Sequence, residues 1–157
     1  KEIAGQYTQK AKEMAVEWER MASDGDHYKL TFDKSGTWSQ KYNLVWDKLM
    51  NWQIFPEQIV KTEIPYYLTK QNRYGLPLDN RQTYTKIDWI MWTATLAPDK
   101  ATFEEFIEPV YLFMNETTDR IPMSDWVFTD KPEHRAFQAR SVVGGYFIKM
   151  LENKMNN

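Results

Sequence analysis

The sequence predicts an all-α protein in which outer and inner helices alternate along the chain. Six segments repeat apolar residues at intervals of three and four, which is the period of an α-helix. The first, third and fifth segments are amphipathic, whereas the second, fourth and sixth are apolar on most sides. A striped helix lies on a surface and a helix that is apolar all round is buried. The order therefore predicts stacked helical hairpins, either open as a solenoid or closed as a toroid.

The first two segments predict an outer helix followed by an inner one. The outer helix covers 2–21, and Gly25 suits a left-handed residue that ends it. Its apolar positions are Ile3, Tyr7, Ala11, Met14, Trp18 and Met21. The inner helix covers 39–52, with Ser39 as its N-cap.

The next two segments repeat this order. The third predicted helix covers 56–71 and is amphipathic, and Pro65 in its interior predicts a kink. The fourth covers 85–97 and is apolar nearly all round. Thr85 is its predicted N-cap, with Asp88 at the position that completes a capping box.

The last two segments complete the third hairpin. The fifth predicted helix begins at Thr102, with Glu105 completing another capping box. The sixth covers 138–152 and is predicted to be buried. Gly144 and Gly145 are costly inside a helix, so we expect close backbone packing at these two residues.

The connections between the predicted helices alternate between long and short. The long ones are 24–38, 72–84 and 117–137, and the short ones are 53–55 and 98–101. In an up-and-down array all three long loops must lie at the same end. They lead into the N-termini of the inner helices, whose dipoles favour an anionic or electron-rich ligand. Long ordered loops are often functional, so this end is the predicted working face.

Composition excludes several classes of function. The 157 residues include 20 Lys and Arg against 22 Asp and Glu, so no basic surface favours nucleic acid or an anionic membrane. No apolar run approaches the roughly 20 residues of a membrane span. The chain has no Cys and 2 His, so we expect no disulfide, metal or other cofactor. It begins at Lys1, which we interpret as a processed chain or an excised piece.

The three long loops hold most of the distinctive polar and aromatic residues. Carboxylates that converge with Trp and Tyr rings suit a carbohydrate site, because acids move protons and flat rings stack on sugars. The same residues, through Arg and Lys, suit a small polar amide. A purely structural alternative is that the acids and bases pair with one another and brace the loops.

Three strings, 36–47 (GTWSQKYNLVWD), 74–89 (YGLPLD through YTKIDW) and 139–145 (ARSVVGG), resemble the glutaminase A family of bacteria and fungi in order and spacing. The resemblance extends from about Trp18 to Leu151. It implies a bacterial protein outside the cytoplasm, either secreted, periplasmic or in the cell envelope. Members of the family are named for the hydrolysis of L-glutamine to glutamate and ammonia.

The resemblance also implies a fold. The family domain is similar to the six-hairpin glycosidases, which form an (α/α)6 toroid, and it is larger than this chain. The three predicted hairpins of 1–157 would then be a single helical fragment, the C-terminal part of the domain and about half of the toroid. The expected partners are the rest of the parent chain and a small-molecule or glycan substrate, with self-association through exposed inner faces.

Three functional hypotheses follow. In the first, a carboxylate activates water at the amide of glutamine, and Arg81 or Arg135 holds the substrate carboxylate. The candidate catalytic acids are Asp47, Asp88 and Asp125. In the second, the domain binds or cleaves glycans, with Trp38, Tyr84 and Trp126 as stacking surfaces. The full set of candidate substrate-binding residues is Trp38, Lys41, Arg81, Tyr84, Trp126 and Arg135. In the third, this part of the protein is a non-catalytic scaffold.

Overall fold

The computed structural model describes residues 2–156, which contain six α-helices, one 3-10 helix and two short strands. The elements in chain order are α1 (Glu2–Ala22), α2 (Leu44–Leu49), α3 (Glu57–Leu68), β1 (Tyr84–Lys86), α4 (Ile87–Thr95), α5 (Lys100–Glu116), β2 (Trp126–Phe128), the 3-10 helix Ser141–Phe147 and α6 (Ile148–Met155). The predicted fragment over 1–157 also includes Lys1 and Asn157, which lie outside the described residues. The prediction of a mostly helical chain is confirmed. None of these helices is long and apolar enough to cross a membrane.

The hydrophobic core surrounds α4, as predicted for an inner helix. This helix packs against α2, α5, α6 and the 3-10 helix, and Ile87, Ile90 and Ala94 on it are fully buried. The amphipathic helices α3 and α5 each contribute one buried stripe. Their largest buried side chains are Tyr67, Phe106 and Phe113. Burying an apolar side chain of this size contributes roughly 1.5–3 kcal/mol, so these contacts dominate the stability of the core.

Helix α1 lies on the outside, as predicted, but most of its apolar stripe is uncovered. Its buried residues are Ala15 and Ala22. Ile3, Tyr7 and Met14 are 68%, 74% and 63% exposed. The described residues therefore cover the C-terminal end of this helix and leave its N-terminal turns without a partner.

A second helix is present within 39–52, but its predicted extent is wrong, because α2 is only six residues long. Residues before it are extended and pair with the second long loop. Ser39 forms an antiparallel bridge with Asp79, and the Gln40 N–H donates to the Leu78 carbonyl at 2.9 Å. These partners lie far away in sequence, so the local apolar period could not reveal them.

Both predicted helix caps at α4 and α5 are also wrong. Thr85 is the central residue of β1 rather than an N-cap. Lys86 occupies the cap position of α4 and makes no side-chain hydrogen bond there, so Asp88 completes no capping box. Helix α5 starts earlier than predicted, because the Asp99 carboxylate accepts a hydrogen bond from the Thr102 N–H at 2.8 Å. Asp99 is thus the side-chain cap that the sequence analysis missed.

The predicted helix over 138–152 is divided into the 3-10 helix and α6. The expected close packing is confirmed at Gly145. A Cβ atom there would lie 2.9 Å from the Trp92 Nε1 and 3.0 Å from the Asp88 Cβ. At Gly144, by contrast, the added atom would meet open space, so that part of the expectation is wrong.

Helix α6 is not buried on most sides, which corrects the prediction of a third inner helix. Ile148 and Glu152 are its buried residues. Phe147, Met150 and Leu151 are 60%, 67% and 44% exposed. Nothing among residues 2–156 covers this apolar face, which explains why apolar content alone misplaced the helix.

The three long loops meet at one end of the molecule, as predicted. The first and second loops are joined by the Asn80 N–H, which donates to the Trp38 carbonyl, and by the Trp38 N–H, which donates to the Asn80 side chain. The second and third loops are joined by the Thr129 N–H, which donates to the Thr83 carbonyl at 2.7 Å. Pairing of β1 with β2 extends this connection.

A buried glutamine fastens these loops to the core. Gln40 is 4% exposed, and its amide nitrogen donates to the carbonyls of Leu76 and Pro77 at 3.1 and 3.0 Å. Its amide oxygen accepts from the Thr93 hydroxyl on α4 at 2.9 Å. The loop end is therefore held in a defined position relative to the central helix.

Candidate active site

Two of the three predicted acids meet where the second and third loops pair. Asp88 lies in the first turn of α4, directly after β1, and Asp125 lies directly before β2. Lys86 and Trp126 are opposite each other in the strand pair. The Ile87 N–H also donates to the Asp125 carbonyl at 2.8 Å. The backbone therefore places residues 37 positions apart in sequence side by side.

Asp125 is a buried carboxylate with two cationic partners. It is 1% exposed. Its Oδ2 lies 2.8 Å from the Lys86 Nζ and 3.2 Å from an Arg140 guanidinium nitrogen. Its Oδ1 is buried and has no hydrogen-bond partner among the described residues. The two nearby positive charges offset the free-energy cost of removing the carboxylate from water. Without such partners, burial would strongly destabilise the charged form of the group.

Asp88 is buried beside this pair without a cation of its own. It is 4% exposed, and its Oδ1 has no hydrogen-bond partner within residues 2–156. Burial and then the negative charge of Asp125 raise the pKa of Asp88 from 3.8 to about 6, against the opposing effect of nearby backbone N–H groups. A carboxyl group with such a pKa can carry a proton close to neutral pH.

Tyr146 closes the cluster from the 3-10 helix. Its hydroxyl donates to the Ser124 carbonyl at 2.7 Å. Burial, together with the charges of Asp88 and Asp125, raises the pKa of Tyr146 above its usual value. The phenol therefore stays neutral and contributes an additional polar group beside the two acids.

Aromatic rings border the acid pair. The ring of Trp126 stacks on Phe137 with a centroid distance of 5.4 Å, and Tyr84 meets Trp126 edge-on at 5.4 Å. The Lys86 ammonium lies 4.4 Å from the centroid of Trp126, and Phe137 is 53% exposed. The predicted residues Tyr84 and Trp126 are thus brought to the acids.

Arg135, another predicted residue, lies on this aromatic cluster. Its guanidinium carbon is 4.6 Å from the Tyr84 ring centroid, 4.9 Å from that of Trp126 and 5.5 Å from that of Phe128. The side chain is half-buried. Cation–π contacts of this kind are worth roughly 0.5–2 kcal/mol each, so the rings help to fix the guanidinium in place.

Five buried polar atoms around the acid pair lack a hydrogen-bond partner in the described part of the chain. They are Asp88 Oδ1, Trp92 Nε1, Asp125 Oδ1, Trp126 Nε1 and Arg135 Nε. A buried polar atom without a partner costs roughly 1–3 kcal/mol, and native proteins contain few of them. Their concentration at one place is typical of a functional site, where a substrate or water completes the hydrogen bonds.

The other predicted binding residues lie apart from this cluster. Trp38 is only 7% exposed and packs against Tyr66 and Tyr67, so its ring belongs to the core. Arg81 is paired with Asp79 at 2.6 Å. The Lys41 ammonium donates to backbone carbonyls at 2.9 and 3.1 Å, and burial lowers its pKa while the charge of Glu63 opposes that effect.

Lys41 and Arg81 instead line a separate cavity of about 900 Å³. The cavity lies between α1, α2 and the first two loops, and most of its surface is apolar. Trp18, Tyr42 and Trp89 contribute aromatic walls, with Tyr42 and Trp89 stacked at 4.2 Å. Its charged residues already have partners in the described part of the chain, and its lining lacks an adjacent pair of acids like Asp88 and Asp125.

Asp47 lies at the opposite end of the molecule, beside the short connections. Its carboxylate accepts hydrogen bonds from the N–H groups of Ile54 and Phe55 at 3.0 Å. It shares a surface depression with Leu96 and Pro98 of the other short connection. Its role here is to hold the turn that follows α2.

Several site residues were missed by the sequence analysis. Lys86, Arg140 and Tyr146 contact or face the acids, and Phe137 and Trp92 border them. Two signals were available, because Lys86 lies in one family-like string and Arg140 in another. No cluster of three or more His, Asp or Glu side chains within residues 2–156 could hold a metal ion.

Known proteins resemble this chain along most of its length. It is 28% identical over 155 residues to glutaminase A of Aspergillus oryzae (strain ATCC 42149 / RIB 40), an alignment that covers 94% of this chain and 22% of the fungal protein. It is 26% identical over 174 residues to a protein named "Probable glutaminase" from Arthroderma benhamiae (strain ATCC MYA-4681 / CBS 112371), with coverages of 90% and 20%. The chain thus spans about a fifth of the length of these curated relatives.

Both relatives are fungal, so they lend no support to the expected bacterial source. No solved structure matches the chain significantly. The family model of the glutaminase A six helical-hairpin domain matches residues 1–150, which is nearly all of the sequence. The resemblance noted in the sequence is therefore confirmed, and the chain belongs to the glutaminase A six helical-hairpin family.

Proposed function

We propose that this chain carries part of the active site of a glutaminase-like hydrolase that converts L-glutamine to glutamate and ammonia. The single observation that carries the proposal is the contrast between two adjacent buried acids. Asp125 forms ion pairs with Lys86 and Arg140, whereas Asp88 forms no ion pair in the described part of the chain. An ion-paired carboxylate next to a buried carboxyl group that has no such partner is suited to act as a base beside an acid.

The two acids would divide the proton transfers of amide hydrolysis. Asp125 accepts a proton from a water molecule as the water oxygen attacks the amide carbon. Asp88 then donates its proton to the amide nitrogen, the C–N bond breaks, and ammonia leaves. The Lys86 ammonium, close to Asp125, would stabilise negative charge on the carbonyl oxygen as the tetrahedral intermediate forms. Exchange with solvent restores the starting protonation states.

The test compares three acids in the full-length protein through ammonia release from L-glutamine. Asp88→Asn and Asp125→Asn should each lower kcat by roughly 10²–10⁴-fold, the usual range for loss of a general acid or base. Asp47→Asn is the matched control, because its carboxylate holds a turn at the other end of the domain. Unchanged turnover in both Asp88→Asn and Asp125→Asn would refute the assignment and support the non-catalytic scaffold instead.

A second candidate function is glycan binding or hydrolysis. The observation that favours it is the stacked pair of Trp126 and Phe137 beside the acids, since exposed aromatic faces bind sugar rings. Trp38 no longer contributes to this candidate because its ring is buried. Titration of tryptophan fluorescence with a panel of oligosaccharides separates the two functions. A response to glycans and none to glutamine would favour the glycan-active protein.

The uncovered apolar faces support a proposal about the rest of the protein. Ile3, Tyr7 and Met14 on α1 and Met150 and Leu151 on α6 are exposed. We expect further helical hairpins of the same polypeptide to cover these faces and to complete an (α/α)6 toroid, of which this chain is about half. Self-association of the isolated chain is the alternative, and light scattering across a range of concentrations distinguishes a monomer from it.

We also infer an extracytoplasmic location, secreted, periplasmic or in the cell envelope, from the family resemblance. Fractionation of cells that express the full-length protein, followed by immunodetection, tests it. Detection confined to the cytoplasm would refute the inference.

A further inference from the structure

The cations around the acid pair differ in whether they have a carboxylate partner. Lys86 and Arg140 both lie within ion-pair distance of Asp125. Arg81, at the edge of the second loop, is paired with Asp79. Among residues 2–156, Arg135 forms no ion pair with any carboxylate. Within the aromatic cluster beside the acid pair, Arg135 is therefore a cation that has no carboxylate partner among residues 2–156 and is available to an anionic ligand.

The position of Arg135 is fixed by its backbone as well as by the rings. Its N–H donates to the Trp126 carbonyl at 2.8 Å. The preceding residue, His134, pairs with Val127 across the strands and is anchored to Asp119 through its own N–H at 2.7 Å. A guanidinium that is already ordered loses little conformational entropy when it binds a ligand.

The chemistry of this guanidinium selects a planar anion. The guanidinium carbon of Arg135 lies over the rings of Tyr84, Trp126 and Phe128, and rings cannot satisfy its N–H donors. The Nε is buried and has no hydrogen-bond partner within the described residues. A carboxylate pairs with the edge of a guanidinium through two parallel hydrogen bonds, which is the strongest arrangement open to an arginine.

The location of Arg135 relates this anion to the acid pair. Trp126, which Arg135 contacts through both its ring and its carbonyl, follows Asp125 directly. The Lys86 ammonium, which is paired with Asp125, lies over the same Trp126 ring. One small substrate could therefore place a carboxylate at Arg135 and a reacting group at Asp88 and Asp125.

We propose that Arg135, in its aromatic cage of Tyr84, Trp126 and Phe128, binds the α-carboxylate of the substrate and restricts the site to glutamine with a free carboxylate. This inference rests on the proposed function and specifies its substrate class. Free glutamine and peptides that end in glutamine carry the required group. Glutamine inside a peptide, where the carboxylate has become an amide, lacks it.

The test uses the full-length protein and two substrates, L-glutamine and its α-methyl ester, which keeps the side-chain amide and removes the negative charge. Arg135→Gln should raise KM for L-glutamine by roughly 10- to 100-fold, as expected for loss of a charge-assisted bidentate pair. The same variant should leave KM for the methyl ester nearly unchanged. Arg135→Lys keeps the positive charge but lacks the two parallel N–H donors of the guanidinium. It should give an intermediate KM for L-glutamine.

Arg120→Gln is the matched control, because Arg120 lies in the same loop and donates only to nearby backbone carbonyls. It should change neither KM. Equal effects of Arg135→Gln on both substrates, or no effect on either, would overturn the proposal. Circular dichroism and the melting temperature of each variant confirm that the domain remains folded.

A second measurement separates failure of this inference from failure of the proposed function. Calorimetric titration with L-glutamate measures carboxylate binding without any reaction. If the wild-type protein releases no ammonia but binds L-glutamate at least 10-fold more tightly than Arg135→Gln does, the hydrolase proposal fails and the carboxylate site stands. If L-glutamate does not bind the wild-type protein, the carboxylate site is refuted.

Discussion

The carboxylates at the two ends of the molecule differ in burial and in hydrogen bonding. At the end with the short connections, Asp47 accepts hydrogen bonds from two backbone N–H groups and holds a turn. At the end with the long loops, Asp88 is buried beside a second acid, and one of its oxygens has no hydrogen-bond partner among residues 2–156. The first arrangement stabilises the fold and the second destabilises it. A costly arrangement at the end where three loops meet is a stronger indication of function than the presence of acids alone.

The largest expected effect is a pH dependence of the free energy of unfolding that is caused by Asp88. Its pKa is 3.8 when unfolded and about 6 in the folded protein, so between these values the folded state binds more protons and its stability falls as pH rises. The shift corresponds to about 3 kcal/mol above pH 6. Asp88→Asn removes this dependence, so its free energy of unfolding should exceed that of the wild-type protein by up to that amount at pH 7.

Denaturant titrations of the full-length protein at several pH values, followed by tryptophan fluorescence, measure the difference. The two proteins should be nearly equally stable below about pH 3, where Asp88 is protonated in both the folded and the unfolded state. A constant difference across the whole range would show that the carboxyl group is not desolvated as the structure indicates.

Gly145 provides a smaller, steric test of the same end. In Gly145→Ala, the new Cβ would lie 2.9 Å from the Trp92 Nε1 and 3.0 Å from the Asp88 Cβ. Overpacking of this kind costs about 2 kcal/mol. Gly144→Ala is the control, because the added atom would meet open space. Thermal unfolding monitored by calorimetry should separate the two variants, and equal melting temperatures would contradict the close contact.

Substitution of Asp47, at the end with the short connections, is expected to have the smallest effect on stability. Asp47→Ala leaves the N–H groups of Ile54 and Phe55 without their acceptor and should lower the free energy of unfolding by about 1 kcal/mol. Asp47→Asn keeps an acceptor oxygen and should lose less. Denaturant titrations of each variant at pH 7 measure the loss. An unchanged free energy of unfolding in Asp47→Ala would contradict the role of this carboxylate in holding the turn.

The helices that depend on local periodicity could be predicted from the sequence. The apolar stripes of α1, α3 and α5 repeat over several turns, and these helices appear where the pattern places them, although α5 begins before the predicted cap at Thr102. The second helix was overestimated because Ser39 and Gln40 form bonds with residues of the second loop. Hydrogen bonds to residues that are distant in sequence do not alter the apolar periodicity from which a helix is predicted.

The candidate site, like the fold, could be predicted from the sequence only in part. Asp88, Asp125, Tyr84, Trp126 and Arg135 were predicted because they lie in or beside loops that share one end. Which of the candidates meet depends on the strand pair and on the 3-10 helix, neither of which was predicted. Position in the sequence therefore identified the candidate residues, and tertiary contacts determine which of them lie together.

The antiparallel pair of β1 and β2 affects how the chain assembles. The Thr129 hydroxyl donates to the Thr83 carbonyl 46 residues away, and the Asn72 side chain donates to that hydroxyl across 57 residues. Chains dominated by such distant contacts fold more slowly than helical bundles, because large loops close before any contact compensates the lost entropy. During synthesis, the acid pair cannot form until Asp125 and Arg140 have left the ribosome. Formation of the acid pair therefore depends on contacts between distant parts of the sequence and not on the local contacts of its helices alone.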